Sequence, residues 1–400
     1  MTTGLTPSEV FVATLCQRSF LKLWTHPNPI GKKGKELCDC LIVCGAHVII
    51  ISVKDIEFKD TGDQRGWERW HKAAIEKSAS QILGAERWLN SVTQVSRRDG
   101  RKILLPAQHE RKYHRVSVSL GGRGEVPLQW GDFGSGFIHV CDEYSLGVLF
   151  NELDTITDFI DFLSATEALI VGGTKPVFSG GGLEDLLALY IQNGNTFGFP
   201  QSGDTRPNIA IVTDGIWMHY KESAEYKARS NDLRNSYVWD RLIEHFTDDL
   251  LADGIFDLHS KQVTKNELAL VAMALQPRGH RANLADALLE FFNSSGSRVT
   301  SRAVVGANAT AFVFLAGKSS DRGTRIRELA LRCLVIRGRY PGITTVVGIA
   351  TDRPGTSEIG YSSDIAYVHM TSWTPEDEAT VVGIQRDLGY FKNANWSKQA

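Results

Sequence analysis

Gly34-Lys35-Glu36-Leu37-Cys38-Asp39-Cys40-Leu41-Ile42-Val43-Cys44, then Gly45-Ala46, then His47-Val48-Ile49-Ile50-Ile51-Ser52-Val53-Lys54, is the stretch that decides the fold. Aliphatic and β-branched residues fill both arms, and the Gly-Ala pair between them suits a hairpin turn. If the loop is of even length, antiparallel pairing sets Asp39 opposite Ser52, and directly opposed residues share a face of the sheet. Lys54, two residues further on, then projects from that same face. Metal-assisted phosphodiester cleavage needs oxygen ligands for Mg²⁺ and a cation near the attacking water or the developing charge. Asp39 and Lys54 are of the right types in the right places. The same geometry also suits a plain cross-strand ion pair that supports a sheet edge.

Working outward, Thr6-Pro7-Ser8-Glu9 is a helix-start signal, and apolar residues repeat at helical spacing to about residue 23. The segment Trp24-Thr25-His26-Pro27-Asn28-Pro29 stops that helix. After the hairpin, residues 67–90 read as one long helix, 114–120 and 137–141 as strands, and 144–152 and 154–164 as helices. Helices alternating with strands around a hairpin predict an α/β fold with a mixed sheet flanked by helices. Gly172-Gly173-Thr174 and Gly180-Gly181-Gly182 read as a flexible connector, giving a first domain over 1–172 and a second α/β domain over 183–400. Neither glycine cluster has the Gly-Lys-Ser/Thr of a phosphate-binding loop, and no strand is expected to feed the second. In the second domain the pattern predicts helices at 183–192, 324–337 and 375–388. Strands are expected at 208–213, 302–305, 310–315, 344–349 and 365–369, with several helices between 223 and 293.

The order helix, acid-headed strand, hairpin ending in Lys, then helix resembles the PD-(D/E)XK, or restriction-endonuclease-like, nuclease superfamily over residues 9–141. The resemblance implies a nuclease dependent on Mg²⁺ or Mn²⁺ that hydrolyses phosphodiester bonds, in DNA rather than RNA. It places Asp39 on the superfamily's Asp and Lys54 on its Lys. Glu9 matches the acid some members carry on the first helix, with Glu36 as its rival for that role. Gln81 resembles the Gln of the exonuclease-type Gln-x-x-x-Tyr, with Ala85 standing where the Tyr would be. A Gln on a half-buried helix face is otherwise simply solvated. The departure is Ser52, where the motif has Glu or Asp two residues before the Lys. A hydroxyl is a poor Mg²⁺ ligand beside a carboxylate. Either an acid has migrated, from Glu36, Asp55, Glu57 or the first helix, or the domain is an inactive scaffold that binds nucleic acid or a protein partner. Asp55 would need a bulge to reach the right face. Bacterial chains that join such a domain to a second one are often defence or toxin effectors, so antiviral defence is the setting the resemblance implies. A homodimer is compatible with it.

Composition narrows the classes. The 400 residues, 42% hydrophobic and 22% charged, are those of a folded chain of two domains or one large one. A net charge of −2 argues against general polyanion binding, so any nucleic-acid contact must use a local patch. The candidates are Arg97, Arg98, Arg101, Lys102, Arg111, Lys112 and Arg115, and an Arg-rich helix with Arg322, Arg325, Arg327, Arg332, Arg337 and Arg339. Balanced solvated faces account for either cluster equally well. No secretory signal opens the sequence and no apolar run reaches membrane-span length, so no membrane partner is expected. The six cysteines lie mostly in apolar runs, as reduced thiols of a cytoplasmic protein would. Cys38, Cys40 and Cys44 are strung along a strand rather than gathered for zinc. No Gly-x-Ser-x-Gly elbow occurs, and Cys141 beside His139 reads as the end of a buried strand.

Overall fold

The computed structural model describes residues 5–62, 64–122, 131–171, 174–197, 208–252, 263–294, 300–317, 322–352 and 362–392. The chain divides into two compact units between Asp232 and Leu233.

The first unit runs α1 (Pro7–Phe20), β1 (Thr25–Pro27), β2 (Cys40–Cys44), β3 (His47–Asp55), α2 (Gln64–His71), a π turn (Lys72–Glu76), α3 (Lys77–Leu89), β4 (Gln94–Ser96), β5 (Lys102–Leu104), β6 (Lys112–Leu120), β7 (Gly131–Asp132), β8 (Phe137–Cys141), α4 (Glu143–Glu152), α5 (Ile156–Val171), β9 (Thr174–Ser179), α6 (Leu183–Gln192), β10 (Asn208–Thr213), α7 (Ile216–Glu222) and α8 (Ala224–Asp232). Its main sheet has the order β1-β2-β3-β6-β8-β7. β1, β2 and β3 are antiparallel, while β3, β6 and β8 run parallel. This is the mixed sheet expected from the sequence.

The hairpin turn has two residues, with Gly45 at φ +56, a conformation that glycine adopts without a Cβ penalty. Cys44 therefore pairs with His47 and Cys40 with Ile51, the expected register. One face of the sheet, carrying Leu41, Val43, Val48 and Ile50, packs on Ala79, Ile82, Ala85 and Leu89 of α3. On the other face Cys16 of α1 meets Cys40, and Phe20, Phe150 and Phe159 form a ring cluster at 5.1–5.2 Å. All six cysteines are buried, and none is in a disulfide.

The Gly-rich stretch departs from expectation. β9 and β10 form a parallel pair, and Gly180–Gly182 join β9 to α6 as a tight turn inside the first unit. A Cβ on Gly181 would lie 2.7 Å from the Thr213 carbonyl oxygen, so glycine there serves close backbone approach. Asp185 locks the turn by accepting from the Gly182 and Trp217 amides. Residues 183–232 thus belong with the first unit and not the second. Residues 172 and 173 of that stretch lie outside the described residues.

The second unit contains α9 (Ser236–Ala252), α10 (Lys265–Ala274), α11 (Arg278–Ser294), β11 (Thr300–Val305), β12 (Thr310–Gly317), α12 (Arg322–Arg339), β13 (Thr345–Asp352), β14 (Ser363–His369) and α13 (Pro375–Leu388). Its sheet has the order β11-β12-β13-β14, with only β12 and β13 parallel. Leu329, Cys333 and Ile336 of α12 cover one face. Trp239 and Phe291 pack on Phe312 and Phe314 from the other. The arginines of α12 are largely structural. Arg325 is buried between Asp352 and Asp364, Arg332 lies over the Tyr390 ring, and Arg337 lies over Trp373. Among the described residues, no helix is long and apolar enough to cross a membrane.

Candidate metal centre

Asp39 immediately precedes β2, its amide donating to the Ile51 carbonyl of β3 at 3.2 Å. Its side chain is fixed from the neighbouring strand: the Val53 amide donates to Asp39 Oδ2 at 2.6 Å. Ser52 is fully buried opposite. Its hydroxyl donates to Gln81 Oε1 at 3.1 Å, and Lys54 Nζ donates to the same oxygen at 2.7 Å. Gln81 is therefore not a solvated helix residue. It is the acceptor that holds the Lys54 ammonium at the end of β3.

Glu9 and Glu36 join Asp39, one carboxylate oxygen of each lying within 4.8 Å of the others. Different local structures bring them there. Glu9 is the third residue of α1, and its carboxylate accepts from the Thr6 amide at 2.9 Å in a capping box. Glu36 precedes β2 and is held through Oε2 by Asn28 Nδ2 at 2.8 Å and by an Arg98 guanidinium nitrogen at 3.0 Å. Asn28 takes a left-handed φ of +44 between two prolines, and its amide donates to the Asp39 carbonyl. The segment read as a helix stop thus builds the edge strand β1 and then the bend that carries Asn28 to Glu36. Asp55, the other migrated-acid candidate on β3, is exposed and takes the Ser8 hydroxyl instead.

Electrostatics follow from this crowding. Burial, then the Asp39 and Glu9 charges, push the Glu36 carboxyl above its usual range, with Arg98 pulling it back. Burial also raises Asp39, opposed by the Val53 amide and the Lys54 charge. Three carboxylates that repel one another, all hard oxygen donors, suit a divalent ion such as Mg²⁺ or Mn²⁺. The buried Asn28 Oδ1, on the amide that holds Glu36, has no hydrogen-bond partner among the described residues. An acceptor left over at that position fits a cation or its hydration water.

Of the two basic stretches, the one over residues 97–115 is partly absorbed in structure. Arg111 donates to the Pro106, Leu89 and Val92 carbonyls, and Arg115 pairs with Glu86. Arg97, Arg98, Arg101 and Lys102 remain on the β4–β5 hairpin, with Arg98 against Glu36. A second titratable cluster, with no signature in the sequence pattern, lies on the opposite face of the sheet. There His47 Nδ1 and His114 Nε2 stand 3.1 Å apart with stacked rings. Burial lowers His114 and His139 to about 3 and His47 to about 4.

Compared with models of known protein families and with curated proteins, the chain matches none.

Proposed function

We propose that the first unit is a metal-dependent nuclease that hydrolyses phosphodiester bonds, with DNA as the preferred substrate. The observation that carries this reading is the convergence of Glu9, Glu36 and Asp39 at the head of β2 beside a Lys54 ammonium oriented by Gln81. Glu36 and Glu9 then supply the charge missing at Ser52. A divalent ion held by these carboxylates would polarise a phosphoryl oxygen and lower the pKa of a bound water.

The remaining work falls to the side chains. Asp39, held rigidly by the Val53 amide, presents its carboxylate in one orientation. Lys54 places a positive charge where negative charge develops on the phosphate and holds the attacking water by hydrogen bonding. Gln81 keeps that ammonium from folding back onto solvent, and the buried Ser52 hydroxyl fixes the Gln81 amide in turn.

The test is cleavage of circular DNA, linear DNA and RNA with Mg²⁺, Mn²⁺ or chelator, by wild type and by Asp39→Ala and Lys54→Ala. Metal-dependent cleavage lost in both variants, each still folded by circular dichroism, is the expected outcome. An Asp39→Ala protein that cuts at the wild-type rate rules this site out. The alternative, a nuclease-like scaffold that binds without cutting, draws on the Arg98 ion pair to Glu36, which neutralises one of the three acids without any metal. Metal-independent binding of nucleic acid with no cleavage would establish it.

A further inference from the structure

Arg98 sits on a rigid support. β4 and β5 pair over residues 94–96 and 102–104, and Val95 and Ile103 at their base belong to the same apolar core as α3. The Ile30 amide donates to the Ser96 carbonyl at 2.8 Å, tying the hairpin to the segment that carries Asn28 and Glu36. At the tip, Gly100 takes φ +88 and the Arg97 amide donates to the Arg101 carbonyl. Four cations, Arg97, Arg98, Arg101 and Lys102, stand there against one acid, Asp99. That acid is spent on Arg97 and Arg101, with separations of 3.4 and 2.7 Å. Arg98 instead reaches across to Glu36 Oε2 at 3.0 Å and to the Asn28 carbonyl at 3.4 Å.

Resting on the metal-centre reading above, we propose that Arg98 is the contact for a backbone phosphate of the substrate nucleic acid and that, without substrate, it is parked on Glu36. Divalent-ion binding and phosphate binding then reinforce each other. The guanidinium matches a phosphate fork as well as a carboxylate one. Arg98 and Glu36 are 45% and 33% exposed, and ion pairs at such exposure are weak, so an incoming phosphodiester can draw Arg98 away. Once it leaves, Glu36 Oε2 is freed of the competing guanidinium and the carboxylate trio holds an ion more tightly. Reciprocity requires that an ion on the trio loosen Arg98 for phosphate by the same factor.

Two titrations test this without relying on turnover. In calorimetry with Mn²⁺ alone, Arg98→Ala should bind the ion about two- to fivefold more tightly than wild type, because a competing cation is gone. In fluorescence anisotropy with a DNA duplex in chelator, the same variant should bind more weakly and show a salt dependence shallower by about one phosphate contact. Glu36→Gln should bind the duplex more tightly than wild type in chelator, a gain that disappears in Glu36→Gln/Arg98→Ala. Arg98→Lys, which keeps a cation on the hairpin, should fall between wild type and Arg98→Ala in Mn²⁺ affinity. If wild type binds Mn²⁺ and Arg98→Ala binds it equally or less well, the parked-arginine inference is overturned while the metal centre stands. If Mn²⁺ binds to neither protein, the metal centre itself fails, and the inference with it.

Discussion

Gln81→Leu tests the centre through stability alone. The substitution keeps the size of the side chain and removes the one oxygen that both Lys54 Nζ, at 2.7 Å, and Ser52 Oγ, at 3.1 Å, donate to. A hydrogen bond from a charged donor is worth about 1.5–3 kcal/mol and one from a neutral donor about 0.5–1.5 kcal/mol. Lys54 is half-buried and regains part of its loss from water and from the Val53 carbonyl, 3.2 Å away. The fully buried Ser52 hydroxyl has no such recourse to solvent. A net cost of about 2 kcal/mol follows, a fall in Tm on the order of 5 °C for a unit of this size. Urea denaturation of wild type, Gln81→Leu, Lys54→Met and the double variant would measure it. The two substitutions should be less than additive by about 1 kcal/mol, since each removes the same bond. An additive double variant would show that Gln81 does not hold Lys54, and the orienting role assigned to it would fall.

Mn²⁺ at about a hundred times its dissociation constant should stabilise the wild type by about 2.7 kcal/mol, and Glu36→Gln or Asp39→Asn should lose most of that gain; equal stabilisation of all three by calorimetric melting contradicts the ligand set. His139 is neutral in the folded protein down to about pH 3, against an ordinary value of 6.5, because burial disfavours its charge. Its contribution is therefore complete above about pH 6.5 and is lost as pH falls towards 3, at up to about 1.4 kcal/mol per pH unit. His139→Asn should flatten the stability–pH slope between about pH 6 and 4 by that amount, and an unchanged slope in urea titrations would show that the imidazole is not buried neutral. Ser52→Glu adds a fourth acid beside Asp39 at a buried position, so it should destabilise the protein in chelator and be rescued in part by Mn²⁺. No difference between the two conditions in thermal melts would mean that the new carboxylate points away from the trio.

The hairpin was legible because, given an even-length turn at Gly45-Ala46, its two aliphatic arms pair in one register that places Asp39, Ser52 and Lys54 without any tertiary information. Strands β8 and β10 and helices α6 and α13 were likewise bounded by their own residues. Asn28 was hidden because its role is tertiary: a Pro-Asn-Pro segment announces a bend but not which acid the bend approaches. The β4–β5 hairpin is hidden for a related reason, since three-residue strands carry too little alternation to stand out from a charged loop. β9 was masked by the glycines around it. Of those, Gly181 reports a close approach to Thr213 of β10, some 30 residues away, and no local pattern distinguishes that from a flexible link.

The π turn at Lys72–Glu76 bears on how the centre tolerates change in chain length. It holds one residue more than the α-helical repeat, absorbed within the helix. The segment before it is anchored through Trp70, which packs with Ala74, Ile75 and Val140, while the segment after it lays Ala79, Ile82 and Leu89 on the hairpin face and aims Gln81 at Lys54. Each residue of an α-helix advances the azimuth by about 100°. Deleting Ala73 would restore regular winding and, because the turn has already absorbed that residue, leave Trp70 and Gln81 seated, whereas a one-residue deletion elsewhere between them would turn everything downstream by that angle. The bulge is a phase coupling between two anchors, and length variation in this helix is confined to changes that conserve its phase.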